Sequence, residues 1–183
     1  MKCKVLITLG FIFVVSQTPL TTFAVTLSVP GDHPTIEAAL AVALPGDRIE
    51  LSPGVYSEFN LTLPGGIGLV GMGDLPSDVV IDGEGRGRLV LAESLVNSSL
   101  IQNITFRSGM ATGSSSYDQS GGAILVSNSD LRLSNCVFTG NEAESHGGAI
   151  RCNNSTLLIN DSVFLGNHAP DGGGGALDCS YDS

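Results

Sequence analysis

The sequence predicts an all-β solenoid, in which short strands coil into rungs that stack on one another. Three observations carry that prediction. First, Asn135-Cys136-Val137-Phe138-Thr139-Gly140-Asn141 followed by Gly147-Gly148-Ala149-Ile150 is nearly rewritten 26 residues later, as Asp161-Ser162-Val163-Phe164-Leu165-Gly166-Asn167 followed by Gly174-Gly175-Ala176-Leu177. Second, a looser copy precedes them, Asn103-Ile104-Thr105-Phe106 with Gly121-Gly122-Ala123-Ile124. A fixed period in the 20s, made of short apolar runs and Gly/Asn turns, signals a stacked β architecture, because one rung cannot bury its own apolar face and a stacked neighbour can. Third, no helical period follows residue 44. Regular short strands with glycine turns leave a sandwich, a barrel or a solenoid, and the repeat selects the solenoid.

Residues 1–24 read as an export signal. Lys2 and Lys4 supply a positive start, residues 5–15 are almost entirely apolar, and Thr22-Phe23-Ala24 places small residues where a signal peptidase reads them. The apolar run is short for a membrane span, so cleavage after Ala24 is expected, with a retained anchor as the alternative. Residues 25–58 are expected to form an N-terminal cap and first rung, and residues 59–183 the remaining rungs.

Residues 25–29 look like an entry strand. Gly31-Asp32-His33-Pro34 opens a helix, with Asp32 or His33 near the cap and Pro34 in the first turn, where a missing N–H costs nothing. Ile36, Leu40 and Ala43 share a face at helical spacing, and Pro45-Gly46-Asp47 ends the helix. Arg48–Leu51 alternates like a strand, Ser52-Pro53-Gly54 turns, and Tyr56 begins the next extended piece. Strands are then expected at 60–63, 68–71, 79–81, 88–91 and 100–101, separated by turns at 64–66, 74–77 and 82–85. Superposed rungs give four columns: Asn103, Asn135 and Asp161; Phe106, Phe138 and Phe164; Ile101, Leu133 and Ile159; Ile124, Ile150 and Leu177. In Ile150-Arg151-Cys152 and Leu177-Asp178-Cys179 the charged middle residue should face water and its neighbours the core. The asparagine column should pass amide hydrogen bonds from rung to rung and supply left-handed turn geometry.

Beyond residue 24 the chain has no lysine; six arginines against eighteen acids leave a charge of −12. So acidic a surface argues against nucleic acid, anionic lipid and polyuronates, none of which gains counterion release from it. Cys136, Cys152 and Cys179 are an odd number for an exported chain, so at least one is unpaired. Cys152 and Cys179 hold matching places in successive rungs. Stacked about 4.8 Å apart, they fall within the ~4.4–6.8 Å that a disulfide spans between Cα atoms; two reduced thiols serving as small core residues are the plainer expectation.

Residues 111–120 are an insertion, stretching the Phe106 to Phe138 interval to 32 residues against 26 for the next. Insertions in solenoids emerge as loops on one face, which makes Tyr117, Asp118 and Gln119 candidate ligand contacts; a passive flexible loop is the plainer expectation. His146 lies within Ser145-His146-Gly147, but the glycines belong to the repeat and recur without a histidine. A zinc site from His146, His168 and a cysteine lacks the close Cys/His pairs of such sites. Asp171, Asp178 and Asp182 read as solvated turn acids. Asn60, Asn97, Asn103, Asn153, Asn154 and Asn160 fit the Asn-x-Ser/Thr pattern, with turn and ladder roles expected for them. No catalytic residue, cofactor or metal ligand is assigned.

Two stretches carry a resemblance. Val29-Pro30-Gly31-Asp32-His33-Pro34-Thr35-Ile36-Glu37-Ala38-Ala39-Leu40, with Pro45-Gly46-Asp47-Arg48-Ile49 and Pro53-Gly54-Val55-Tyr56-Ser57-Glu58, resembles the opening of pectin methylesterases and of bacterial pectin-lyase-like proteins. The Gly-Gly-Ala-Ile and Phe-x-Gly-Asn elements resemble the chlamydial polymorphic membrane protein repeat. The resemblance implies a right-handed parallel β-helix, a single-stranded solenoid capped at its start by an α-helix. Of the esterase elements only Gly54-x-Tyr56-x-Glu58 matches. The expected function is therefore that of an exported, non-enzymatic domain at the cell exterior or outer-membrane surface, an adhesin binding a cell-surface glycan, polysaccharide or protein, without nucleic acid or cofactor. The alternative is the first part of a carbohydrate-active enzyme, a lyase or glycosidase, with its catalytic groups beyond residue 183. The start of another rung near the C-terminus leads us to expect a longer parent protein, with end-on docking to a partner as the alternative.

Overall fold

Every strand pairing in the computed structural model, which describes residues 24–181, is parallel and joins a residue to its counterpart one coil away. The expected export signal lies outside the described residues, apart from Ala24. The first coil holds β1 (Thr26–Val29) and the helix α1 (Ile36–Leu40). Coil 2 holds β2 (Arg48–Leu51), β3 (Gly54–Tyr56) and β4 (Leu61–Thr62), and coil 3 holds β5 (Gly68–Gly71), β6 (Val79–Asp82) and β7 (Val90–Glu93). Coil 4 holds β8 (Ser99–Gln102), β9 (Thr105–Arg107), β10 (Met110–Ala111) and β11 (Ile124–Ser127). Coil 5 holds β12 (Asp130–Ser134), β13 (Val137–Thr139), β14 (Glu142–Ala143) and β15 (Ile150–Asn153). Coil 6 holds β16 (Thr156–Asn160), β17 (Val163–Leu165) and β18 (Leu177–Ser180). Strands of like position stack into three long sheets: β1-β2-β5-β8-β12-β16, β3-β6-β9-β13-β17 and β4-β7-β11-β15-β18. A fourth, narrow sheet pairs β10 with β14. This is a parallel β-helix solenoid.

Its corners are set by residues in the left-handed region. Asn103, Asn135 and Asp161 turn the chain from the first sheet to the second, with φ of 58°, 50° and 49°. Ser108, Gly140 and Gly166 leave the second sheet at 53°, 59° and 59°. Gly121, Gly147 and Gly174 enter the third, and Ser94, Asn128 and Asn154 leave it. Asparagine and glycine adopt this geometry most readily, so the Asn/Gly recurrence in the sequence is the recurrence of corners.

The core is the column interior. Phe106, Phe138 and Phe164 stack face to face, with centroids 5.1 and 4.8 Å apart and planes within 9°. Ile101 pairs with Leu133 and Leu133 with Ile159; Ile124 pairs with Ile150 and Ile150 with Leu177. All four predicted columns stand. Coil 6 has only one stacked neighbour among the described residues, and Leu177 is 38% exposed where Ile150 is 0%.

Some local expectations are corrected. The helix is capped by Thr35, not by Asp32 or His33: Thr35 Oγ1 accepts from the Ala38 amide at 3.1 Å. Pro34 therefore precedes the cap instead of sitting in the first turn. The Asp32 carboxylate is used elsewhere, accepting from the Ser28 amide and hydroxyl. The third strand of coil 3 begins at Val90, not Arg88, because Arg88 is still on the corner. Arg151 and Asp178 do point away from the core, but they are largely covered by their own ion pair, with side chains 15% and 22% exposed.

Candidate functional site

The insertion is an ordered loop, and one arginine orders it. Extending the register of β7 on β11 places Arg88 beside Gly122, so coil 3 carries an arginine where later coils carry the second glycine of the pair. From there its guanidinium reaches outward under the loop. Nη2 donates to the carbonyl oxygens of Tyr117, Asp118 and Ser120 at 2.9 Å each, and Nε donates to those of Ser120 and Gly121 at 3.2 Å. The Tyr117 ring lies over the guanidinium carbon at 5.9 Å. Five contacts to backbone carbonyls suit the fixed fork of an arginine and not the point charge of a lysine. Burial lowers the Arg88 pKa, while Tyr117, Asp118 and Glu93 oppose that shift.

The three candidate contact residues are placed differently from one another. The Tyr117 hydroxyl donates to Glu93 Oε1 at 2.8 Å. Burial, then the bond to the Glu93 carboxylate, push its pKa up to about 12. The Gln119 side chain donates to the Gly113 carbonyl at 2.9 Å, and the Gln119 backbone carbonyl accepts from the Ser145 amide at 2.8 Å. Tyr117 and Gln119 thus hold the loop together and tie it to coil 5. Asp118 is exposed, accepts from the Ser115 hydroxyl at 2.7 Å, and faces an adjoining depression.

That depression, about 370 Å³, is lined by Asn60, Arg86, Arg88, Met110, Thr112, Ser114 and Asp118. A second, about 320 Å³, shares Met110, Ala111 and Thr112 and continues past Glu142, Glu144, His168 and Pro170. A third, about 360 Å³, shares Asn60 and extends to Glu37, Leu40 and Thr62 beside α1. Shared walls link these into one trough along the solenoid, from α1 in coil 1 to coil 6. Five coil steps at about 4.8 Å give it a length of roughly 24 Å. Its charges are mixed: Arg86, Arg88 and Asp118 lie toward the middle, Glu37 at one end and Glu142 and Glu144 toward the other.

Beside the second depression a buried asparagine, Asn141, pairs with the half-buried Asn167. Asn141, 0% exposed, donates from Nδ2 to the Phe106 carbonyl at 3.1 Å and to Asn167 Oδ1 at 2.9 Å, and its Oδ1 accepts from the Gly109 amide at 2.9 Å. Asn167 Nδ2 donates to the Phe138 carbonyl at 3.0 Å. A second, exposed ladder runs where sequence reasoning placed one, from Asn135 Nδ2 to Asn103 Oδ1 at 2.9 Å and on from Asn103 to the Gly71 and Gly73 carbonyls.

Sequence reasoning did not single out Arg88, Glu93, Asn141 or the trough lining. The signal for Arg88 was there, as an arginine standing at a glycine position of the repeat. The trough has none, because it is walled by residues from six coils.

Ser145 Oγ and His146 Nδ1 are 2.5 Å apart, but these consecutive residues sit in the turn before the Gly147 corner, and Ser145 Oγ meets Ser116 Oγ at 3.4 Å on its other side. Among the described residues, no three His, Cys, Asp or Glu side chains converge as a metal ion requires, and no helix is long and apolar enough to cross a membrane. The Gly54-x-Tyr56-x-Glu58 element is structural. The Tyr56 hydroxyl donates to the Ser52 carbonyl at 2.7 Å, and both Glu58 oxygens accept, at 2.9 Å, from the Ile36 and Glu37 amides at the start of α1.

No curated protein and no solved structure matches the chain. Residues 135–153, the coil 5 segment from its Asn135 corner to the end of β15, match the family described as the Chlamydia polymorphic membrane protein (Chlamydia_PMP) repeat.

Proposed function

We propose that this is an exported domain of a bacterial surface or outer-membrane protein that binds, without transforming it, an extended polar ligand along its lateral trough, as an adhesin does. The observation that carries this reading is the 112–120 loop. It lengthens coil 4 to 32 residues against 26 for coil 5, it is locked by Arg88 and Tyr117, and it walls the trough. A loop pinned by backbone contacts keeps its exposed face constant, which lowers the ordering cost of binding. The matched repeat, named for a membrane protein, supports a place at the cell surface. Mixed charge in the trough and an overall formal charge of −10 favour a neutral glycan of a cell surface over a polyanion.

The test is binding of the full chain to an array of neutral and acidic glycans and to host cells, with wild type and a Thr112→Trp variant compared. Thr112 is exposed on the loop and lines two of the depressions, so tryptophan there should block the trough and leave the melting temperature unchanged. Expected is capture of neutral chains that Thr112→Trp abolishes. Binding indifferent to this substitution, or confined to polyanions, would overturn the trough as the site. Release of shortened products from any bound polysaccharide would overturn the non-enzymatic reading in favour of a carbohydrate-active enzyme.

A further inference from the structure

Cys152 in β15 and Cys179 in β18 are Cα partners in the parallel register of coils 5 and 6. Both side chains lie on the inward face of their strands, and the Cys179 thiol lies against that of Cys152. Cys152 is buried and Cys179 is exposed. We propose that these two cysteines are an oxidation site, closing to a disulfide that staples coil 6 onto coil 5 when the protein meets an external disulfide.

Stacked residues stand about 4.8 Å apart, inside the Cα range of a disulfide and slightly beyond its usual Cβ separation of about 3.5–4.5 Å. The remaining few tenths of an ångström must come from movement of one strand. β18 can supply it, because among the described residues it pairs on one side only, with β15. The exposed partner begins the reaction. The Cys179 thiolate attacks one sulfur of a low-molecular-weight disulfide, forming a mixed disulfide and releasing one small thiol. The Cys152 sulfur, giving up its proton to solvent, then attacks Cys179 Sγ and releases the second small thiol. Two cysteine thiols are oxidised and one external disulfide is reduced to two thiols. Burial, reinforced by the neighbouring Cys179, pushes the Cys152 pKa up to about 12. That keeps Cys152 protonated and makes it the resolving partner, not the attacking one. Cys136 takes no part: it is buried at a different corner, with its thiol directed at the Ser134 and Ile101 carbonyls at 3.4 and 3.7 Å.

The full chain, with its four cysteines, is equilibrated in buffers of increasing oxidised-to-reduced glutathione ratio. Expected is loss of two hydrogens from the intact mass and two fewer reactive thiols in denaturant. Cleavage at Asp161 and Asp171, which lie between the two cysteines, should then leave the Cys152 and Cys179 fragments joined until reductant separates them. The melting temperature should rise on oxidation and return on reduction. Cys179→Ser should hold the reduced value in both buffers, and Cys136→Ala should still form the link. A stable glutathione adduct on Cys179, a link from Cys179 to a second chain or to Cys136, or an unchanged mass would each overturn the proposal. Because the mapping is done on the unsubstituted chain, it stands whether or not a Cys152 variant folds.

Discussion

Two glycines of one motif do different work, and a pair of substitutions separates them. Gly148 cannot carry a side chain, because a Cβ there would land on the carbonyl oxygens of Gly175 and His168. It is the point where three backbones meet. Gly140 has open space around its missing Cβ, and only its φ of 59° asks for glycine. Gly140→Asn should therefore cost less than about 1 kcal/mol, since asparagine tolerates the left-handed region. Gly148→Ala should cost at least about 3 kcal/mol or prevent folding, because backbone must move. Urea unfolding of the two variants checks this, and equal costs would show that conformation, not space, governs both. The same attention to atoms explains why Tyr117, chosen as a ligand contact, is bound to Glu93 and stacked on Arg88 instead. An aromatic ring over a half-buried cation serves a fold as well as it serves a ligand, and sequence cannot tell which it serves.

The elements of this chain are too short to stand alone, and their stability is borrowed from neighbouring coils. The helix α1 has five residues, well below what is stable in isolation. It persists because Ile36, Ala39 and Leu40 are buried and because Glu58, from the next coil, bonds the Ile36 and Glu37 amides. A carboxylate there meets unpaired donors and the positive end of the helix. Glu58→Ala should lower stability by about 1–2 kcal/mol, and Glu58→Gln by less, since the amide keeps one acceptor. Chemical denaturation of both variants measures it; an unaffected Glu58→Ala would mean the helix is held by burial alone. The phenylalanine column makes the same point for strands. Phe138 is fully buried between two rings, whereas Phe164 is half-buried with one. Phe138→Ala should cost about 3–5 kcal/mol, and Phe164→Ala distinctly less. Thermal melts that ranked them the other way would contradict the stacking order.

At the scale of the whole molecule, charge sets the response to acid. The Asp32 carboxyl is held low by the Ser28 amide and then its hydroxyl, and Asp47 by the Leu44 and then the Val25 amide. For Asp82, burial works the other way, but the Glu84 amide and the Arg107 guanidinium outweigh it. All three lie below the ordinary 3.8. A folded carboxyl that binds protons less tightly than its unfolded form contributes stability above the unfolded value, and that contribution is lost as pH falls through the folded one. The melting temperature should thus be nearly flat from about pH 7 to 5 and drop below about pH 4. A drop centred near pH 6 would contradict this assignment to the three carboxyls.

How much of this was legible in the sequence follows from what repeats. The columns at Phe106, Phe138 and Phe164, at Ile124, Ile150 and Leu177, and at the Asn103 corner could be read directly, because a period carries its own register. Stacked identical environments select identical residues, so the solenoid and the partnership of Cys152 with Cys179 were determined by the chain alone. The bracing of α1 by Glu58, the anchoring of the inserted loop by Arg88, the burial of Asn141 and the trough itself were decided only by the tertiary structure. Each depends on atoms from different coils brought together across 20 to 35 residues, and nothing local in the sequence reports such a meeting. Periodicity encodes what lies above and below a residue; what lies beside it, where a ligand would bind, emerges only when the coils are closed.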